Sequence, residues 1–597
     1  MLTSSELSVM ARDSRRVMQL MMPTFSGSRD KYGKETVPPL PLSFDRVMEG
    51  RPPSTPAPLF GLPDEILTIM VQYVDIESLR SLVLVNSDCR QWARSVQFNS
   101  ICLDYSPSSL GVLRELLKEV VERISDTKTG MTLRPAMGAC IRRITVATNP
   151  SIFGRYHEVE MDDDFRDLDV AIQAERLRKA TAGYFDMYLG SLNAAFMDPK
   201  TLPHIEFLDW EDSSSPPQTF FDHLARSSVQ HLKLYRVPLE KDFAINSGNP
   251  TGEWHLRSLH LEVYWDFLLE PRGSTSLFCS SLLRQCAPTL EMLVWEGMVS
   301  LKDPIEAGEH EPLSFPRLRT LKLGDVLFKN AFLLEALLNA PLTTLMISNP
   351  QNPLIVQCTR ARGNIRTLET LVYESGISVA SFDFLKANQH ISNLSFALAN
   401  PASLIENKLL PLLSSSFTTL NSLRLTWNEE ITIMSTSVLQ MISTLKNLEQ
   451  ICLSAGHQFG WRHSWAIDHE LMRKYLSLLP ELKKIVFSRD SYEGAARGFE
   501  YYYEDKILSQ PLVEAHPEWE DTPEALWELG HRQMVLREAS LYASMIPKLE
   551  WMFLGQLPVE IRRQQNMDED MTHFEIMSER DDCWTLLRRM FGVKEVI

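Results

Sequence analysis

The chain has 597 residues, too many for one ordinary hydrophobic core, so several domains or a stacked array are expected. Its 44% hydrophobic and 23% charged residues are those of a folded protein, and a net charge of −17 argues against nucleic acid or an anionic membrane as the main partner. No apolar run reaches membrane-spanning length, Arg12, Asp13, Arg15 and Arg16 break any signal-peptide core, and the eight cysteines lack metal or disulfide spacing. The expectation is a thiol-reduced protein of the cytoplasm and/or nucleus.

Residues 1–58 mix prolines, serines and both charges without periodicity, and read as a disordered Pro-rich tail. Residues 59–105 then hold three short amphipathic helices. Pro63 can start the first, with Asp64 and Glu65 favouring its N-terminal end and Ile66, Leu67, Met70, Tyr73 and Val74 on one face. Asp75 can cap a second helix carrying Ile76, Leu79, Leu82 and Val83. Ser87 can cap a third carrying Cys89, Trp92, Ala93 and Val96. A trio of this size cannot bury enough surface to stand alone, so its apolar face needs a cover. Residues 106–140 contain a clean amphipathic helix, Ser108 to Asp126, that joins the trio to the rest of the chain.

From residue 141 to 555 the pattern apolar-x-x-apolar-x-apolar recurs, first at Ile141-Ile144-Val146 and last at Leu549-Met552-Leu554. Between Ile205 and Leu482 the unit starts lie 23 to 34 residues apart, a solenoid period. The last two apolar positions of each unit point inward from a short strand, and helical stretches such as Ala331–Leu338, Ser437–Leu445 and Leu471–Leu479 lie between strands. One unit cannot cover its own apolar face; stacked units share a continuous core. Two intervals are too long. Ile141 to Ile205 can hide a degenerate unit among helices at Phe165–Lys179 and Tyr184–Ala195, and Leu482 to Leu549 holds an insertion at about 488–531. Residues 556–597 read as a charged tail whose Phe574, Ile576, Trp584, Leu587 and Phe591 could cap the open end.

Catalytic patterns are weak. His457, His463 and His469 recur every six residues, which suits neither a helical face nor a zinc motif, and the acidic run Glu158 to Asp169 lacks the glycine and terminal glutamate of a calcium loop. No phosphate loop or nucleophile motif occurs, so neither an enzyme nor a cofactor or metal site is expected. Binding residues are expected instead on the strand positions flanking the inward ones: Asp209, His231, Lys233, Tyr235, His260, Lys322 and Arg424. Trp461, Arg462 and Trp465 form a further cluster of residue types that anchor interfaces, and Tyr501, Tyr502, Tyr503 and Trp519 lie in the insertion.

These residues carry two resemblances. Leu62-Pro63-Asp64-Glu65-Ile66-Leu67, with Val85, Arg90 and Trp92 after it, resembles the F-box, although Asn86 stands where that family usually has Cys or Ser. The units at 141–555 resemble leucine-rich repeats, with the family's strand-end asparagine only at Asn149 and Asn428. The implied fold class is an α/β repeat protein, an N-terminal three-helix F-box followed by an irregular leucine-rich-repeat solenoid. The resemblance implies docking of Leu62, Pro63, Ile66, Leu67, Leu79, Val85 and Trp92 on a Skp adaptor, and through it a cullin–RING ligase. The repeats would then hold a protein substrate for ubiquitination, with no catalysis by the chain itself. The alternative is a repeat scaffold that binds Skp or other proteins without ubiquitination.

Overall fold

The computed structural model describes residues 39, 41–129, 136–147, 170–212, 214–246, 254–265, 273–297, 304–306, 313–377, 379, 381–428, 434–455, 465–488, 490–491, 523–555, 557–565 and 570–576. They fall into two compact units divided after Ala340.

The N-terminal unit begins with helices. Phe44–Val47 (α1), Asp64–Gln72 (α2), Ile76–Leu82 (α3) and Ser87–Gln97 (α4) share one core. Pro63 is the N-cap of α2, and Asp75 caps α3 by accepting from the amides of Glu77 and Ser78. The cap of α4 is Asn86, whose Oδ1 accepts from the Cys89 amide at 2.7 Å, so the expected cap Ser87 is instead the first helical residue. The residue that departs from the F-box pattern thus has a local job, satisfying an otherwise unpaired helical amide.

The reading of 1–58 as a disordered tail fails for its last part. Leu42, Phe44, Val47 and Met48 are buried with Phe60, Leu67, Val71, Leu79, Cys89 and Trp92. The Phe60 ring stacks on Phe44 at 4.8 Å between centroids and meets Trp92 edge-on at 6.1 Å. These upstream aromatics supply the wall that three short helices lack. Gln91 then ties the trio to the rest of the unit: its buried Nε2 donates to the carbonyls of Val47 (2.9 Å) and Ala136 (2.8 Å). Pro107–Thr129 (α5) is the expected connecting helix; its Glu119 accepts from the Gly138 amide at 3.0 Å and its Arg123 pairs with Glu49 at 2.9 Å.

Strands Ser100–Leu103 (β1), Arg143–Ala147 (β2), Phe207–Glu211 (β3), His231–Leu239 (β4), Ser258–Trp265 (β5), Met292–Trp295 (β6) and Thr320–Leu323 (β7) make up the sheet of this unit. Each is parallel to the next in chain order. β1 precedes the first recognised unit and has no repeat spacing to reveal it. No degenerate unit intervenes between β2 and β3, because the two pair directly, Ile144 opposite Leu208. A single helix, Val170–Met197 (α6), replaces the two expected there.

In the C-terminal unit Thr344–Ile347 (β8), Thr370–Tyr373 (β9), Asn393–Phe396 (β10), Ser422–Thr426 (β11) and Gln450–Ser454 (β12) continue the parallel pattern. Trp465–Ala466 (β13) pairs separately with Asp490–Ser491 (β15), while β12 pairs with Lys484–Ser488 (β14) and that with Trp551–Leu554 (β16). Leu557–Gln565 (β17) and Asp570–Ile576 (β18) then form an antiparallel hairpin on β16. The sheet therefore runs past the expected end at 555. Phe574 and Ile576 lie on β18, whereas Trp584, Leu587 and Phe591 lie outside the described residues. The insertion is shorter on its C-terminal side than expected, since the helix Pro523–Met545 begins inside it.

Neighbouring parallel strands need a crossover, and crossovers of one hand place their helices on one face. In the C-terminal unit these helices pack on one another in sequence, Pro353–Arg362 on Ser381–Ala387 and Thr436–Ser443 on His469–Leu476. The apolar strand positions form aligned rows: Leu208, Leu232, Leu259, Leu293 and Leu321 in one unit, Leu345, Leu371, Leu394, Leu423, Ile451 and Ile485 in the other, all essentially without exposure. Burial of such a side chain is worth about 1.5–3 kcal/mol, which makes these rows the main source of stability.

The asparagine pattern also differs from expectation. Asn149 lies outside the described residues, and at Asn428 it is the backbone amide that bonds, to the Asn400 carbonyl. The locks between turns are Asn388 and Asn400. Asn388 accepts from the Ile365 amide (2.8 Å) and donates to the carbonyls of Gly363 (3.0 Å) and Phe384 (2.8 Å). Asn400 accepts from the Ile377 amide (2.8 Å) and donates to the Leu398 carbonyl (2.9 Å).

Candidate protein-binding surfaces

The helical trio carries more apolar surface than its core can use. Helix α2 turns Leu67 and Val71 inward, yet Ile66, Ile69 and Met70 on the same helix and Tyr73 at its end are exposed. Leu62, Ile76, Leu84 and Val85 extend the face, with Tyr73 and Leu84 more than 80% accessible. Scattered exposed hydrophobics are ordinary; eight within 24 residues of chain mark an interface. The seven residues expected to meet Skp divide accordingly. Leu62, Pro63, Ile66 and Val85 are exposed, whereas Leu67 (0%), Leu79 (4%) and Trp92 (4%) are inside the trio and hold it together. The sequence puts Ile66, Leu67, Met70, Tyr73 and Val74 on one face that needs a cover; the structure divides that face, Leu67 turning inward and Ile66, Met70 and Tyr73 staying exposed. Apolar residues from Ile66 to Val74 cover more of the helix than one core stripe requires.

A second surface lies on the strand face of the N-terminal unit opposite the leucine rows. In register across the strands stand Thr145, Asp209, Lys233, His260, Val294 and Lys322. Two residues along, Glu211 accepts from Lys233 Nζ at 2.6 Å, and Glu296 pairs with Lys322 Nζ at 2.7 Å. Arg143 approaches Asp209 at 3.8 Å and lies over the Phe207 ring; Phe207 stacks on His231, whose Nδ1 bonds Ser258 Oγ at 2.7 Å. Tyr235 sits beneath Lys233 and Arg236, each about 5 Å from its ring centre. Arg236 also reaches Glu262 at 3.3 Å.

Every one of the expected binding residues on β3–β7 is at least half-buried, and Lys233, His260 and Lys322 are 6–7% exposed. They are partnered within the fold rather than freely displayed. Burial, with Lys233 and Lys322 nearby, lowers the His260 pKa to about 3, so the ring is neutral. Burial lowers His231 to about 4 and raises Glu262, the latter with help from Glu296.

The C-terminal unit has a different face. Met346, Val372, Ser395, Arg424, Cys452 and Val486 occupy the alternating positions, and all are buried. The expected binding residue Arg424 is thus inside, its pKa lowered by burial. Trp465 is likewise a core residue, packed edge-on against Phe487 at 6.0 Å. Trp461, Arg462, Tyr501, Tyr502, Tyr503, Trp519, His457, His463 and the run Glu158–Asp169 lie outside the described residues. His469 is a packing residue that bonds the Tyr542 hydroxyl at 3.1 Å. Among the described residues no group of three or more His, Cys, Asp or Glu side chains is placed to hold a metal ion.

Parallel strands in chain order, aligned leucine rows and helical crossovers are now all in place. The described residues of each unit form a repeating array of parallel strands joined by crossovers. No family model and no curated protein matches the sequence. Among solved structures, a leucine-rich-repeat protein of Leptospira interrogans matches at 12% identity and a TM-score of 0.27, over 71% of this chain and 93% of its own. A TLR13–ssRNA13 complex matches at 15% identity and a TM-score of 0.26, over 50% of this chain and 41% of its own. Similarity that low says nothing about partners.

Proposed function

We propose that this chain is a non-catalytic adaptor, the substrate-receptor subunit of a Skp–cullin–F-box ubiquitin ligase. The observation that carries the reading is the uncovered apolar face of the trio, Leu62, Ile66, Ile69, Met70, Tyr73, Ile76, Leu84 and Val85, on the segment whose sequence resembles an F-box. An apolar face of that kind on an otherwise well-packed subdomain is covered by a partner. Behind it, the repeat array offers an extended surface for a target protein. The work done is positional: the receptor raises the effective concentration of a target lysine near a ubiquitin-charged enzyme, and the chemistry belongs to that enzyme.

Co-purification with Skp and a cullin tests this. Leu62→Ala with Ile66→Ala removes exposed side chains without touching the core, so the variant should fold normally and lose both proteins. Retention of Skp by that folded variant sinks the docking assignment. Recovery of Skp without a cullin or any ubiquitin transfer would favour the scaffold alternative.

A further inference from the structure

We propose that Ser54 is a phosphorylation site, and that a phosphate there opens the strap that closes the helical trio. The proposal concerns the shape of the trio and stands whatever docks on it.

The strap is the stretch from Arg51 to Gly61. Prolines at 52, 53, 56 and 58 deny it the amides for a helix or a strand ladder, so it crosses the trio without regular structure until the short turn Pro58–Gly61. Its hold is local. Among the described residues, the hydrogen bonds of residues 52–56 all run to the first turn of α4. Ser54 Oγ donates to Asp88 Oδ1 at 2.8 Å and lies 2.8 Å from Ser87 Oγ, and the Thr55 amide donates to Asp88 Oδ2 at 2.8 Å. Asp88 is 1% exposed beneath the strap, whereas Pro52, Pro53, Ser54 and Pro56 are exposed on its outer side. Just beyond, Phe60 stacks on Phe44 and meets Trp92 edge-on. One carboxylate thus pins the segment that carries part of the aromatic wall of the trio.

Arg51 stands three residues before Ser54, and residues 52–63 carry no other charge. A guanidinium at that spacing on a proline-rich, irregular segment suits a serine kinase that reads arginine through its own carboxylates. The transfer breaks the bond between the γ-phosphorus of a nucleoside triphosphate and its bridging oxygen and forms the bond from Ser54 Oγ to phosphorus. The hydroxyl proton passes to the kinase base, and the nucleoside diphosphate leaves. With the strap down, that hydroxyl is engaged on Asp88 and Arg51 is paired with Glu49 at 3.2 Å, so the kinase captures the strap when it lifts. Reclosure is then opposed. The hydroxyl donor is gone, and a group of about −1.5 to −2 charge faces a buried carboxylate. The positive end of α4 is already served, by Asn86 on the Cys89 amide and by Asp88 itself.

The test uses the full chain, an arginine-directed serine kinase with Mg-ATP, and mass spectrometry. Ser54 should take up close to one phosphate per chain, and Arg51→Ala should slow uptake about tenfold. A chain left unmodified at Ser54, or modified at Thr55 in its place, overturns the assignment. Hydrogen exchange then reads the strap. The amides of Phe60 and Leu62, bonded to the carbonyls of Ala57 and Leu59, should exchange about tenfold faster in the phosphorylated chain than after phosphatase treatment. In Asp88→Asn the phosphate meets no charge, so the same comparison should change by less than about threefold, an outcome that mere bulk at Ser54 would not produce. Equal acceleration in Asp88→Asn overturns the charge conflict and the switch with it. Unchanged exchange in the phosphorylated wild type does the same, and decides alone should Asp88→Asn fail to fold. Co-purification of Skp is a separate readout, so either failure leaves the docking assignment where it stood.

Discussion

Asn388→Ala should open the C-terminal array locally. The side chain is fully buried and satisfies three backbone groups: the Ile365 amide one turn earlier, the Gly363 carbonyl, and the Phe384 carbonyl of its own turn. Alanine leaves all three without that partner, the Ile365 and Phe384 groups too deep for water to replace it. At about 1 kcal/mol for each, and more where a group is left unsatisfied, the cost is about 3 kcal/mol. That corresponds to roughly a hundredfold in a local opening constant. Asn388→Asp keeps the acceptor for Ile365 but points an oxygen at two carbonyls, so it should be at least as damaging. Amide hydrogen exchange followed by mass spectrometry reads this at the peptide containing Ile365, with chemical denaturation as the global measure. If exchange there accelerates less than about fivefold in Asn388→Ala, the lock is not what joins these turns.

The geometry sets three further outcomes. Leu67→Ala should destabilise the trio by about 2–5 kcal/mol, while its exposed neighbour Ile66→Ala should stay within about 0.5 kcal/mol, both measured by denaturant titration. Gly138→Ala places a Cβ 2.1 Å from the Thr201 carbonyl oxygen, so it should cost about 1–3 kcal/mol or more; a melting temperature equal to wild type would contradict the packing at that turn. His231, His260 and His469 are held neutral, at about 4, 3 and 4, below the ordinary 6.5. The unfolded chain therefore binds more protons between those values, and stability should fall as pH drops from 6.5 toward 4, by up to about 1.4 kcal/mol per pH unit for each histidine. Melting temperature against pH measures the slope, which replacing all three by glutamine should flatten.

The array was readable because its signal repeats. A strand position two residues from another in thirteen units leaves little choice of face, and the register rows run through those residues. The parts that escaped are those with no repetition behind them. β1 has one apolar alternation and no spacing partner. Phe44 and Val47 sit in a four-residue helix within a proline-rich stretch, and only the need of the trio for a wall explains their burial. Trp465 looked like an interface anchor by residue type, but a tryptophan beside a strand is as readily core, and Phe487 makes it so. On the trio, the apolar character of α2 was plain; which residues it left uncovered depended on what packed beneath.

The antiparallel hairpin β17–β18 decides how such a chain can change length over generations. Every parallel strand before it presents the same edge to the next, so a duplicated turn slipped in ahead of β16 finds a matching neighbour on each side. Once the chain reverses, that equivalence ends, and the last described strand carries exposed charges such as Glu575. Growth at that end is thereby confined to turns ahead of the hairpin, and a charged strand such as β18 is a poor template for a second molecule.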